Sequence, residues 1–185
     1  IEGKLKEHNI LSSAKLNVVN PRQTVKMGCM AVEFIRVNHS IPDAVALAIT
    51  TPIGTVIHTG DFKIDLTPVS DRMIDLVRLG QLGNEGVLAL LSDSTNVENP
   101  GYSNSERKVG EGFDKLFMGC DKRIIITTFA SNVHRLQQII SVAAKYNRKV
   151  AITGRSMENV LNVASVLGYM DIPDNVMVDI DKANK

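Results

Sequence analysis

RVNHSIPDAVALAITTPIGTVIHTGDFKID, running from Arg36 to Asp65, decides the fold of the first half of the chain. Two apolar, β-branched runs, 44–50 and 55–59, flank the tight-turn sequence Thr51-Pro52-Ile53-Gly54, a pattern that predicts an antiparallel hairpin. Pairing Thr51 with Gly54 sets the register and brings Asp61 level with Ala44. His39 and Asp61 each follow a strand-like run, so the same register places them near one another at one edge. An imidazole and a carboxylate converging at strand ends suit Zn²⁺ or Mn²⁺, but two ligands are fewer than the three a catalytic zinc takes. On the pattern alone, a hydrogen-bonded histidine and a turn aspartate is the stronger reading. His58, three residues before Asp61, reads as structural.

Outward from the hairpin the two halves differ. Residues 13–60 are rich in Val, Ile and Thr, which is strand composition. Beyond residue 85 strands and helices alternate. GVLALLS (86–92), RIIITTF (123–129) and KVAIT (149–153) read as buried strands. SNSERKVGEGFDKLF (103–117), opened by a Ser103–Glu106 capping box, reads as a helix, as do 131–145 and a segment from a Ser156 cap to about Leu167. This order implies a parallel sheet with right-handed crossovers. A domain boundary falls between about residues 66 and 90, with the helix-like SDRMIDLVRLGQLG (70–83) inside it; we set it after residue 80, giving units 1–80 and 81–185.

Composition narrows the classes. With 185 residues, 44% of them hydrophobic, the chain has enough apolar surface for a real core. No apolar run reaches the roughly 18 residues of a membrane span, and nothing resembles a signal peptide, so no membrane association and a cytoplasmic location are expected. Cys29 and Cys120 cannot form a disulfide framework. The net charge of +1 means that any nucleic-acid partner must be held by a local cluster. The opening IEGKLKEHN lacks Met and the closing VDIDKANK offers no packed terminal element, which suggests a fragment of something longer.

A second candidate site lies in the loops after the expected parallel strands, SDSTN, TFASNVHR and TGRSMEN, where such sheets place ligands. Helix N-terminal amides near Ser131, Asn132 and Ser156 favour phosphate, with Arg135, Arg155 and His134 as further donors. Plain N-capping by Ser131 and Ser156 with solvated arginines is the competing reading. Asp93 directly follows a strand and reads as a supporting carboxylate or an Asx turn. No glycine-rich nucleotide fingerprint is present.

VNHSIPDA, GTVIHTGDFKID, LLSDSTN, TTFASNVHR and ITGRSMENV together resemble the ribonuclease J family, in the beta-CASP branch of the metallo-beta-lactamase fold. The resemblance covers nearly the whole chain. It implies an α/β chain: part of a metallo-beta-lactamase αββα sandwich with antiparallel strands, then a parallel-sheet beta-CASP domain incomplete at its C-terminus. It implies that His39 ligates one metal, that Asp61 bridges two divalent ions (Zn first, Mn as the alternative), and that Asp93 is the first beta-CASP acidic motif. Catalytic roles then fall on Asp61, His39 and Asp93. A bridging carboxylate between cations about 3.5–4 Å apart helps hold a hydroxide for in-line attack. The family's His-x-His-x-Asp-His motif is absent, and none of the four histidines, 8, 39, 58 and 134, has His-x-His spacing. The isolated chain is therefore expected to hold metal poorly and to be inactive, while its parent is a 5′-to-3′ exonuclease and endonuclease on RNA. Further implications are a 5′-monophosphate preference, homo-oligomers and membership of an RNA-degrading complex. Two alternatives stand beside this: a nonenzymatic RNA or 5′-phosphate-binding module, and a beta-CASP nuclease acting on DNA or messenger-RNA 3′ ends.

Overall fold

Thr51 and Gly54 close the hairpin as the register requires. The Thr51 hydroxyl donates to the Gly54 carbonyl at 2.8 Å and accepts the Ile53 N–H at 3.3 Å. Gly54 has φ +144°, and a Cβ there would lie 3.0 Å from the Leu88 Cβ, so this turn takes glycine for both conformation and space. The computed structural model describes residues 1–70 and 72–183; Asp71, within the expected helical segment 70–83, lies outside the described residues.

A short helix α1 (Glu2–Glu7) precedes a five-stranded mixed sheet in the order β1-β2-β3-β4-β5. Strands β1 (Thr24–Met27), β2 (Met30–Arg36), β3 (Val45–Thr51) and β4 (Gly54–His58) are antiparallel neighbours, and β5 (Ala89–Leu91) runs parallel to β4. Alternation places Ile35 opposite Ala46 and Ala48 opposite Ile57 on one face. That face is covered by α2 (Leu76–Glu85), whose Leu79 and Leu82 join Ile35, Val37, Ala46, Ala48, Ile57 and Ile74 in one core. Glu33, on the same face, is reached by the Arg78 guanidinium at 2.8–3.2 Å. The α2 N-cap is Asp75, which accepts from the Arg78 amide and from Arg22.

The second half packs helices α3 (Arg107–Phe117), α4 (Val133–Lys145) and α5 (Arg155–Val166). Its separate core joins Val133, Leu136 and Ile140 of α4 to Ala164 of α5 and to Met170 and Val176 beyond it. The apolar stripe expected on residues 131–145 is the buried face of α4.

Several expectations are corrected. The three-stranded parallel sheet does not form among the described residues: 123–129 makes no ladder, and 149–153 has only a parallel bridge, Val150 to Met177. Residues 123–130 still alternate exposed and half-buried, the signature of extended chain, but an apolar run becomes a strand only when another edge satisfies its amides. GVLALLS supplies only the three residues of β5, and Leu88, Leu90 and Leu91 are exposed rather than buried. Ser103 and Glu106 make no capping box, because Glu106 occupies the N-cap position itself and turns its carboxylate to Arg135. Asn132, not Ser131, caps α4, and Gly154, not Ser156, precedes α5.

Candidate functional site

Three segments meet beyond the carboxyl end of β2 and β4. After β2, the Val37 amide donates to the Ala44 carbonyl, which folds the 38–43 link back on itself. After β4, Gly60 has φ +59° and a Cβ there would come within 3.2 Å of the Val45 carbonyl, so the chain turns tightly into Asp61. An isolated antiparallel bridge then pairs Asn38 with Lys63. His39 and Asp61 follow, with the imidazole Nε2 3.8 Å from a carboxylate oxygen of Asp61. Asp61 is largely solvent-facing and His39 half-buried.

Asp93 lies beside them because the loop after β5 is tied to the end of β4. The Asp93 amide donates to the Thr59 hydroxyl at 2.9 Å, and the Thr59 amide to the Leu91 carbonyl at 3.0 Å. Its carboxyl is held below the usual carboxylate range, first by the Thr95 amide and hydroxyl and further by the Phe62 amide and the nearby His39. Its bond to the Thr95 amide, 2.8 Å, is an Asx turn. His58 is exposed and accepts the Gly60 amide at 3.1 Å, a local structural role.

The donor types of His39 and Asp61 fit a divalent cation, but among the described residues no group of three or more His, Cys, Asp or Glu side chains converges on one.

The residues expected to hold phosphate do not form one site. Asn132 is buried, and its side-chain oxygen accepts the Arg135 amide at 3.0 Å, so one α4 N-terminal donor is already used. The Arg135 guanidinium makes two bonds to Glu106, 2.8 and 2.9 Å, rather than waiting in solvent. His134 is pushed below its ordinary value by burial, against the opposing pull of Glu106. Ser131 is exposed at the same turn. Arg155 and Ser156 are exposed at the start of α5, which has no side-chain cap, and among the described residues no hydrogen bond or ion pair joins them to the α4 group.

Two residues that sequence reasoning passed over organise this region. Asn38 is buried; its amide donates to the Arg72 carbonyl at 2.7 Å and accepts the Ile74 N–H at 2.9 Å, while its carbonyl accepts the Lys63 N–H at 2.8 Å. Asp65, also buried, accepts the amides of Thr67 and Glu106. A buried carboxamide or carboxylate at a strand end was the available signal, since each must be fully bonded to be tolerated there.

Comparison with known proteins bears on the family. Residues 121–185 match the family described as ribonuclease J, beta-CASP domain. Residues 121–185 are thus similar to a beta-CASP domain. The chain as a whole is homologous to ribonuclease J proteins: it is 48% identical over 184 residues to ribonuclease J of Synechocystis, covering 99% of this chain and 29% of that one. It is 44% identical to ribonuclease J of Helicobacter pylori strain J99 over 100% of this chain and 27% of the relative. With ribonuclease J of Thermus thermophilus it shares 41% identity, over 95% and 31% respectively. The chain thus spans less than a third of these relatives' length. A crystal structure of a protein of unknown function from Enterococcus faecalis has the same fold, with a TM-score of 0.63 at 18% identity, over 92% of this chain and 43% of that one.

Proposed function

We propose that the chain is a segment of a metal-dependent ribonuclease that hydrolyses RNA phosphodiesters, combining 5′-to-3′ exonucleolytic with endonucleolytic cleavage. Residues 1–80 are read as the end of a first metallo-beta-lactamase segment and 81–185 as beta-CASP domain. The observation that carries the reading is the convergence of His39 and Asp61, 3.8 Å apart at two strand ends, with Asp93 tied to the same corner.

His39 would hold one divalent ion and Asp61 would be shared between two, Zn²⁺ or Mn²⁺, the remaining ligands coming from outside these residues. When bound, such ions supply Lewis-acid polarisation of the phosphodiester and acidify water. The residues here do the holding: Asn38 and Gly60 fix where the two side chains emerge, and Asp93 contributes negative charge beside them. The substrate is RNA with a 5′-monophosphate preference, and exposed Arg155 and Ser156 at the α5 N-terminus suit its phosphates. The working form is a cytoplasmic homo-oligomer, within an RNA-degrading complex. In the full-length context of the relatives, Asp61→Asn or His39→Ala should abolish metal-dependent RNA cleavage while the protein stays folded.

A second reading is a nonenzymatic RNA-binding module. The open α5 N-terminus and the two-member donor set favour it for the isolated chain. It requires metal-free binding of a 5′-phosphorylated oligoribonucleotide that weakens as salt rises; absence of binding at low salt excludes it.

A further inference from the structure

We infer that Asp65 is a positioning residue that couples the His39–Asp61 corner to the first turn of α4, by way of Glu106. The inference concerns what holds the site and rests, for its functional meaning, on the ribonuclease reading.

The Asp65 side chain is 4% exposed. One oxygen accepts the Thr67 N–H at 3.0 Å and the other the Glu106 N–H at 3.2 Å, with the Lys63 ammonium 3.6 Å away. Glu106 is the N-cap of α3, whose first amides have no partner within the helix, so a carboxylate from another element satisfies one of them. Two further bonds stitch the same two segments together. The Ser105 hydroxyl donates to the Thr67 carbonyl at 2.9 Å, and the Lys63 ammonium to the Asn104 carbonyl at 3.1 Å.

The path continues in both directions. The Glu106 carboxylate grips Arg135, the third residue of α4, with two bonds. On the other side the Lys63 amide donates to the carbonyl of Asn38, the residue before His39, and Lys63 stands two residues after Asp61. Asp65 is the joint between these two arms. Its burial makes each bond costly to leave unmade, so it transmits displacement instead of absorbing it. A shift of α4's first turn, where the loop TFASN enters the helix, therefore reaches the backbone that carries His39 and Asp61.

The test is native-state amide hydrogen exchange at Lys63, compared among variants of this chain. Arg135→Ala should speed exchange at Lys63 several-fold, although Arg135 does not touch it, and should add nothing once Asp65→Asn is present. In unfolding experiments, the combined effect of Asp65→Asn and Arg135→Ala should depart from the product of the single effects by at least about threefold. Should Asp65→Asn fail to fold, Glu106→Gln cuts the ion pair while keeping the Asp65 bond to the Glu106 amide. It too should speed exchange at Lys63. Acceleration confined to 106–109 and 132–138, with Lys63 unchanged and the two mutations multiplying independently, would overturn the inference. A 5′-phosphorylated oligoribonucleotide provides the separate check: failure of the full-length protein to bind or cleave it removes the ribonuclease reading, while the exchange comparison decides the coupling.

Discussion

Arg135 and Glu106 face each other through two parallel bonds of 2.8 and 2.9 Å, so the guanidinium that the sequence offers to phosphate is engaged inside the protein. The pair is mostly buried, with side-chain exposures of 30% and 17%. Arg135→Ala leaves a half-buried carboxylate without its cation and should destabilise the fold by about 1–3 kcal/mol. Urea unfolding measures this, with an unchanged midpoint as the contrary result.

Helix capping separates the expected from the observed donors. Asn132→Ala removes the side-chain acceptor for the Arg135 amide and should cost about 1 kcal/mol, whereas Ser131→Ala and Ser156→Ala should be nearly neutral. Thermal melts of the three variants distinguish these positions.

Acid should unfold the chain through particular carboxylates. At Asp65 burial is the largest single influence and pushes the carboxyl up, but the Thr67 and Glu106 amides, the Ser105 hydroxyl and Lys63 together hold it below its ordinary value. Asp75 is lowered chiefly by Arg22. A depressed folded-state value means the unfolded chain binds protons first. Both contributions are therefore complete above the unfolded value of about 4 and disappear as pH falls through the lower folded values. Stability measured from pH 6 down to 2 should be flat and then decline, and Asp65→Asn should flatten the decline. A decline unaltered in Asp65→Asn argues against this assignment.

Core and surface isoleucines should separate cleanly. Ile35, fully buried between β-sheet and α2, should cost about 2–5 kcal/mol when cut to Ala. Ile125, 86% exposed on the extended 123–129 segment, should change stability by less than about 0.5 kcal/mol when cut to Ala.

The hairpin was legible because turn chemistry and strand period agree: Thr51-Pro52-Ile53-Gly54 fixes the register, and that register puts His39 within reach of Asp61. Helix α4 was equally readable from its apolar stripe. The parallel sheet was not, since RIIITTF and KVAIT have strand composition but a strand also needs a partner, which no local pattern supplies. The caps failed for a related reason. Ser131 and Asn132 are both good cap residues, and only the entry angle of the chain chooses between them. Glu106 looked like half of a capping box because its partner, Arg135, stands 29 residues away. Asn38 and Asp65 went unnoticed for the same cause, their value lying in bonds to remote segments. The family resemblance, carried by separated motifs, survived these local errors.

The proposed metal site of His39 and Asp61 would cleave RNA. Its most direct test is the rate of Mn²⁺- or Zn²⁺-dependent hydrolysis of a 5′-monophosphorylated RNA by the full-length protein and its Asp61→Asn variant. A loss on the order of a hundredfold or more is expected, with the fold intact. Hydrolysis by Asp61→Asn at the wild-type rate would contradict it.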